Sequence, residues 1–395
     1  MVGARELRLD SVADQVYVRA QGFRASQAGH LAGDFRLAST IDSDGAKPAE
    51  PKPSPLAGPL RPPGRHRRSD YDVTNSVQVS SFSAVARACE ALFREQWPKQ
   101  SFEPLHAAFG ELKRLFDGEW PGYGGLDTVY HDRQHTLDMT LAAARLLVGY
   151  ERSVPEGDRL GWERAAMGLV TALFHDAGYV RELADRTYQN GAEVTSSHVS
   201  RSARLLARCL PTIGLGNWVQ VSTRIVHYTG YEIPFTQIQV ADPRDRKVGH
   251  LIGTADLIAQ MSDRCYLEKC RDRLYPEFVL AGVAQGRDAQ GNVHVRYGSG
   301  LDLLRKTPGF YQATMRDRLD GEFGAAYRYL EILFAGRNPY IEAMRQNQIF
   351  LQQILRSENW PLLRRNPPCF TADPNPLSSV RVLMLGHLRS LWRTT

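Results

Sequence analysis

No apolar stretch in this 395-residue sequence is long enough to span a bilayer. The longest candidates, LAAARLLVGY at 141–150 and MGLVTALF at 167–174, are soon interrupted by charge or glycine. Cysteine is scarce: Cys89, Cys209, Cys265, Cys270 and Cys369 are odd in number and scattered, which argues against a disulfide framework. Cys265 and Cys270 lack the close spacing of a thiolate zinc site. The N-terminal stretch is polar and studded with arginine, without the apolar segment of a signal peptide, so a cytoplasmic protein is expected. The charge excess is small, +6 at pH 7, and no platform of interleaved basic and aromatic residues stands out. Specific nucleic-acid binding is therefore not expected, while a mild attraction for small phosphorylated anions is.

What is present is helical patterning after a proline-rich stretch, which weakly patterned residues 1–35 precede. Residues 39–68 are rich in Pro, Gly and charge and cannot bury enough apolar surface to offset the entropy of ordering. A flexible extension is expected over 1–75, a helical domain over 76–360 and a basic tail over 361–395. Apolar spacing predicts helices at SAVARACEALFREQW and PLHAAFGELKRLF, then near 131–150, 160–176, 192–209, 216–228, 247–262, 264–284, 300–319 and 322–356. QGRDAQGNVHVRYG reads as a small hairpin around Gly291-Asn292 or as a loop.

Four segments carry chemistry: YHDRQHTLD at 130–138, FHDAGY at 174–179, IVHYTGY at 225–231 and TADLIAQ at 254–260. On a helix, His131, His135 and Asp138 would form one stripe, opposite an apolar stripe of Leu137, Leu141, Ala144 and Val148. Gly168, Ala172 and His175 lie on a strip of small residues that would admit a second helix closely. His175 and Asp176 are adjacent, so their side chains diverge by roughly 100° on a helix. Both reach one cation only where a helix end is crowded by neighbours, and Gly178 permits such crowding. Asp256, set among Leu251, Ile252, Ala255, Leu257 and Ile258, would be costly to bury without a compensating charge. Gln260, one turn on, could orient Asp256 or a substrate. Imidazole with carboxylate suits Mn, Fe, Zn, Co or Ni.

An upstream YHxxxHxxD, an apolar helix ending in HD and a later Asp in an ADL context resemble the HD-domain metal-dependent phosphohydrolase superfamily, over roughly 125–265. YHDRQHTLDM is also similar to the YHNxxHxxDV segment of cyclic-nucleotide phosphodiesterases. The resemblance implies an all-α HD/PDEase-like bundle in which His135, His175, Asp176 and Asp256 bind a divalent ion, with Mg added to the candidates above. It implies His131 as the general acid and Asp138 as a residue orienting a helical neighbour. His198 and His227 fall where dinuclear members carry two further histidines, and with a bridging Asp176 they would hold a second ion. The implied activity is hydrolysis of a phosphodiester or phosphomonoester of a nucleotide-like substrate by a metal-bound hydroxide, with cyclic-nucleotide phosphodiesterase as the leading case. The chain departs from that branch at Asp132, where it has Asn, and at HDAGYVRE, which lacks a further His and the Gly and Asn beyond it. GYP and a Lys-containing turn after HD are also absent.

Two rivals use the same residues. A di-iron oxygenase can be built on an HD-type scaffold, and a metal-stabilised helical module could sense nucleotides without turnover. Arg133, Arg181, Arg186, Arg201 and Arg224 lie near the motifs and are either phosphate contacts or ordinary surface arginines. Glu193 is either a base or a helix-start acid.

Overall fold

A computed structural model describes residues 67–288 and 291–392. Twelve α-helices account for most of it: α1 Phe82–Gln96, α2 Glu103–Phe116, α3 Arg133–Ser153, α4 Gly161–Phe174, α5 His198–Thr212, α6 Val219–Ile225, α7 Pro243–Ser262, α8 Tyr266–Lys269, α9 Tyr275–Leu280, α10 Gly300–Ala313, α11 Pro339–Ser357 and α12 Pro376–Trp392. The one hairpin among the described residues, β1 Gln285–Arg287 with β2 Val293–Val295, is the hairpin alternative for QGRDAQGNVHVRYG. Gly291 takes a φ of 83° beside its turn. No helix among the described residues is long and apolar enough to cross a membrane.

The centre of the bundle is α3. The sequence stripe Leu137, Leu141, Ala144 and Val148 suggests one buried face, but nearly every residue from Gln134 to Glu151 is buried. Helices α1, α4 and α7 pack around it. Two of its charged residues are paired internally. Arg145 donates to Asp72 at 2.8 Å and to the Tyr340 hydroxyl at 2.7 Å. Glu151 accepts from the Leu160 amide at the start of α4. Asp72 is fully buried, so packing begins before the expected boundary at 75. Residues 1–66 of the expected extension lie outside the described residues.

Small residues let these helices close up, as the strip at 168–175 suggested. A Cβ on Gly168 would meet Val248 of α7 at 2.6 Å, and one on Gly253 would meet Phe323 at 2.6 Å. The helix expected over 322–356 is broken instead. Gly324, Ala325, Ala335 and Gly336 all take positive φ, and Asn338 then caps α11 with Pro339 as its first residue. The stretch expected at 264–284 is likewise divided, by a π turn at Cys270–Leu274.

The C-terminal stretch forms a strap and a helix. Arg133 N donates to Phe370 O, Phe370 N to Asp132 Oδ2 and Ala372 N to Leu126 O, so 370–372 binds the loop that enters α3. The buried cation Arg273 holds the carbonyls of Pro367 and Pro368. Beyond the strap, α12 packs on α9, and Val380 is buried in a small cluster with Val129, Ala192 and Leu280.

Replacing Arg145 with Ala would strand the Asp72 carboxylate in the core. Loss of one partner of a buried pair costs about 3–5 kcal/mol. Urea unfolding of Arg145→Ala should show a loss of that size, and an unchanged midpoint would refute the pairing.

Candidate metal centre

Each residue of the centre is delivered by a helix end or a helix face. Asp132 caps α3 by accepting the His135 amide at 3.1 Å, which places His135 in the first helical turn. The cap also corrects the expected stripe: His131 precedes the helix rather than lying on it, because Asp132 takes an extended conformation to cap. Helix α4 stops at Phe174, with His175 at its C-cap and Asp176 beyond. His175 keeps helical backbone and Asp176 leaves it, and their side chains still converge, His175 Nε2 lying 3.2 Å from Asp176 Oδ2. Asp256 projects from the middle of α7.

The ligand atoms converge. His135 Nε2 lies 3.2 Å from Asp176 Oδ2 and 3.4 Å from Asp256 Oδ1. His175 Nε2 lies 3.2 Å from Asp176 Oδ2 and 3.7 Å from Asp256 Oδ1. The two imidazole nitrogens are 3.4 Å apart. Ligand atoms of His135, His175 and Asp176 all fall within 4.8 Å of one another. Donors bound about 2.1 Å from one ion stand roughly 3.0–3.5 Å apart, so the spacing fits a shared cation.

Hydrogen bonding supports the same fit. His175 Nδ1–H donates to Ala172 O at 2.9 Å, which leaves the Nε2 lone pair facing inward. Asp176 Oδ2 and Asp256 Oδ1 are buried with no well-directed donor. Two carboxylate oxygens and two imidazole nitrogens in a buried space call for a positive charge. Without an ion, protons supply it. Burial opposes a charge on His135, yet the adjacent Asp176 and Asp256 carboxylates push the imidazole up to about 10. His175 is raised as well, against the effect of burial, chiefly by Asp176. Burial would raise the Asp176 carboxyl, but His175 and His135 hold it well below the ordinary range.

The other predicted residues divide. His198 opens α5, donates through Nδ1 to Thr195 O at 2.6 Å and turns Nε2 to within 3.5 Å of Asp176 Oδ1. Gly178 makes this possible: a Cβ there would sit 1.9 Å from His198 O. His227 lies on the turn Val226–Thr229, buried, with no hydrogen bond at Nδ1. Burial lowers the pKa of both His198 and His227, which favours the neutral form that binds metals. His227 stands outside the tight group formed by the first three ligands.

His131 Nδ1 lies 2.6 Å from Glu277 Oε2. Glu277, fully buried, also accepts from the amides of Val129 and Tyr130. Sequence spacing missed Glu277, although an acid inside YPEFVL is a buried charge in need of a partner. Asp138 makes no hydrogen bond to the cluster, contrary to its expected orienting role. Burial raises it to about 7, and one of its oxygens is unpartnered. Gln260 accepts from the Tyr130 hydroxyl at 3.1 Å rather than touching the Asp256 carboxylate.

The motif arginines are engaged in the fold. Arg133 pairs with Asp117, Arg181 with Asp127, and Arg201 with the carbonyls of Gly178 and Val180. Arg224 reaches Gln239 O and Arg186 is exposed. Glu193 closes a capping box with Asn190.

No family model matches the chain, and no curated protein or solved structure matches it either.

Because His135 must shed its proton to bind an ion, affinity should rise at least about tenfold per pH unit between pH 6 and 8. Chelator competition with Zn or Mn at several pH values reads this slope, and a flat profile would contradict the assignment. The sign reverses for the metal-free fold. A histidine raised from 6.5 to about 10 contributes stability that is complete below pH 6.5 and gone above pH 10.

Proposed function

We propose that the chain is a metal-dependent phosphohydrolase of HD type, acting on a phosphodiester or phosphomonoester of a nucleotide-like substrate. The observation that carries this reading is the placement of His131, held by Glu277, beside the cluster of His135, His175, Asp176 and Asp256. The rings of His131 and His135 are 5.6 Å apart.

A divalent ion held by His135, His175, Asp176 and Asp256 would supply Lewis acidity and lower the pKa of water, and His198 and His227 are the residues available to a second. The chain's own groups supply the rest. Asp176 offers two differently directed oxygens, Oδ2 toward His135 and His175 and Oδ1 toward His198. Glu277 accepts at Nδ1 of His131, which leaves Nε2 as the atom that delivers a proton to a departing oxygen. Proton delivery to a departing alkoxide speeds ester hydrolysis, and a donor so placed is what favours this reading over the oxygenase and over a silent sensor. Within the class, cyclic-nucleotide phosphodiesterase activity is the leading specific reading, resting on the YHxxxHxxD segment.

The test couples metal analysis to a hydrolysis screen over cyclic nucleotides, nucleoside mono- and triphosphates and guanosine polyphosphates. His175→Ala with Asp176→Ala should lose bound metal and all turnover. His131→Ala should keep the metal and lose about 10²–10⁴-fold in kcat, the range for a positioned acid. Retained metal in the double variant would sink the centre, and full activity in His131→Ala would sink the assigned donor.

A further inference from the structure

We infer that Tyr179 is a positioning residue for the proton donor, a role that rests on the phosphohydrolase reading. Its ring stacks on two imidazoles. It stacks on His131 with centroids 4.6 Å apart and planes at 20°, and on His198 at 4.4 Å and 20°. The two histidine centroids are 6.3 Å apart, so both stacks are offset. Tyr179 therefore touches both the donor and the residue that faces the outer oxygen of Asp176.

The hydrogen bond to Glu277 does not fix His131 by itself. A single contact at Nδ1 leaves the imidazole free to swing and tilt about that point, and Nε2, at the far side of the ring, moves most. A flat aromatic surface against one face removes the tilt. The electron-rich face of a phenol also suits an imidazolium. For such a surface to act as a stop, it must itself be rigid. One guanidinium grips the backbone on both sides of Tyr179: Arg201 Nε donates to Gly178 O at 2.7 Å and Nη2 to Val180 O at 2.8 Å. Gly191 packs against Tyr179 O so closely that a Cβ there would come within 2.3 Å. The ring is fully buried. Arg201 thus braces Tyr179, and Tyr179 braces His131.

Removing the stack should misplace the proton donor while leaving the ligand cluster in place. The distinguishing variable is the leaving group, because p-nitrophenolate departs without a proton and an alkoxide does not. The probes are the p-nitrophenyl and methyl esters of thymidine 5′-phosphate, with wild type, Tyr179→Phe and Tyr179→Leu compared. We expect Tyr179→Phe, which keeps the stack, to stay within about threefold on both esters. Tyr179→Leu should lose on the order of 10²-fold in kcat on the methyl ester, the low end for a misplaced acid, and under about threefold on the p-nitrophenyl ester. Equal losses on the two esters, or no loss on either, would overturn the inference.

A second readout needs no turnover. In metal-free protein with labelled histidine, the ring protons of His131 and His198 should be shifted upfield by the Tyr179 ring current. Tyr179→Phe should keep that shift and Tyr179→Leu should abolish it. If the wild type cleaves neither ester, the phosphohydrolase reading fails by itself, and the shift still decides whether the stack holds His131. Identical histidine shifts in wild type and Tyr179→Leu would overturn it. Tyr179→Met provides the same comparison should the leucine variant not fold.

Discussion

Two carboxylate oxygens and two imidazole nitrogens meet in a largely buried space, and the surrounding architecture serves to keep them there. Asp176 and Asp256 are nearly fully buried, with oxygens that no donor is aimed at. Such an arrangement is unfavourable unless positive charge enters it, as protons or as an ion. The cost is sustained by packing elsewhere. A central helix enclosed on all sides carries His135, a helix end carries His175 and Asp176, and glycines at 168, 178 and 253 let the elements approach to within contact of one another.

The centre has an inner and an outer tier, and they are built differently. The inner tier uses side chains on helices or at a helix end, whose rotamers are limited by the packing around them. In the outer tier His131 stands on a loop and Tyr179 on a short turn, while Glu277 and His198 sit on α9 and at the start of α5. The precision of this tier comes from stacking and from carboxylates that gather several backbone amides at once. Glu277 binds two amides as well as His131, and Glu232 binds the amides of Val199 and Ser200 just after His198. These acids are fold organisers and electrostatic partners together.

Legibility in the sequence followed the same division. His175, Asp176, His135 and Asp256 could be read because local helical context and residue chemistry coincide at each of them, and the structure gathers all four. The all-helical class was legible from periodicity alone. Glu277 and Tyr179 were not, because they meet His131 only through tertiary packing and carry no short-range pattern. Asp138, expected to orient a helical neighbour, makes no hydrogen bond to the cluster, and the stripe it shared with His131 is broken where Asp132 caps α3 and leaves His131 on the loop. The long helix expected at 322–356 failed where Gly324 and Gly336 introduce left-handed backbone that periodicity does not register.

The strap at 367–372 joins the two ends of the chemistry along the polypeptide. It binds the loop carrying His131 from behind, while α12 presses Val380 against Val129 and Leu280, the residues flanking His131 and Glu277. During synthesis the inner ligands emerge well before this segment does. A nascent chain therefore exposes His135, His175, Asp176 and Asp256 before the segment that braces the His131 loop. On the proposed reading, ion binding and proton delivery are separated in time, the second waiting for α12 to dock.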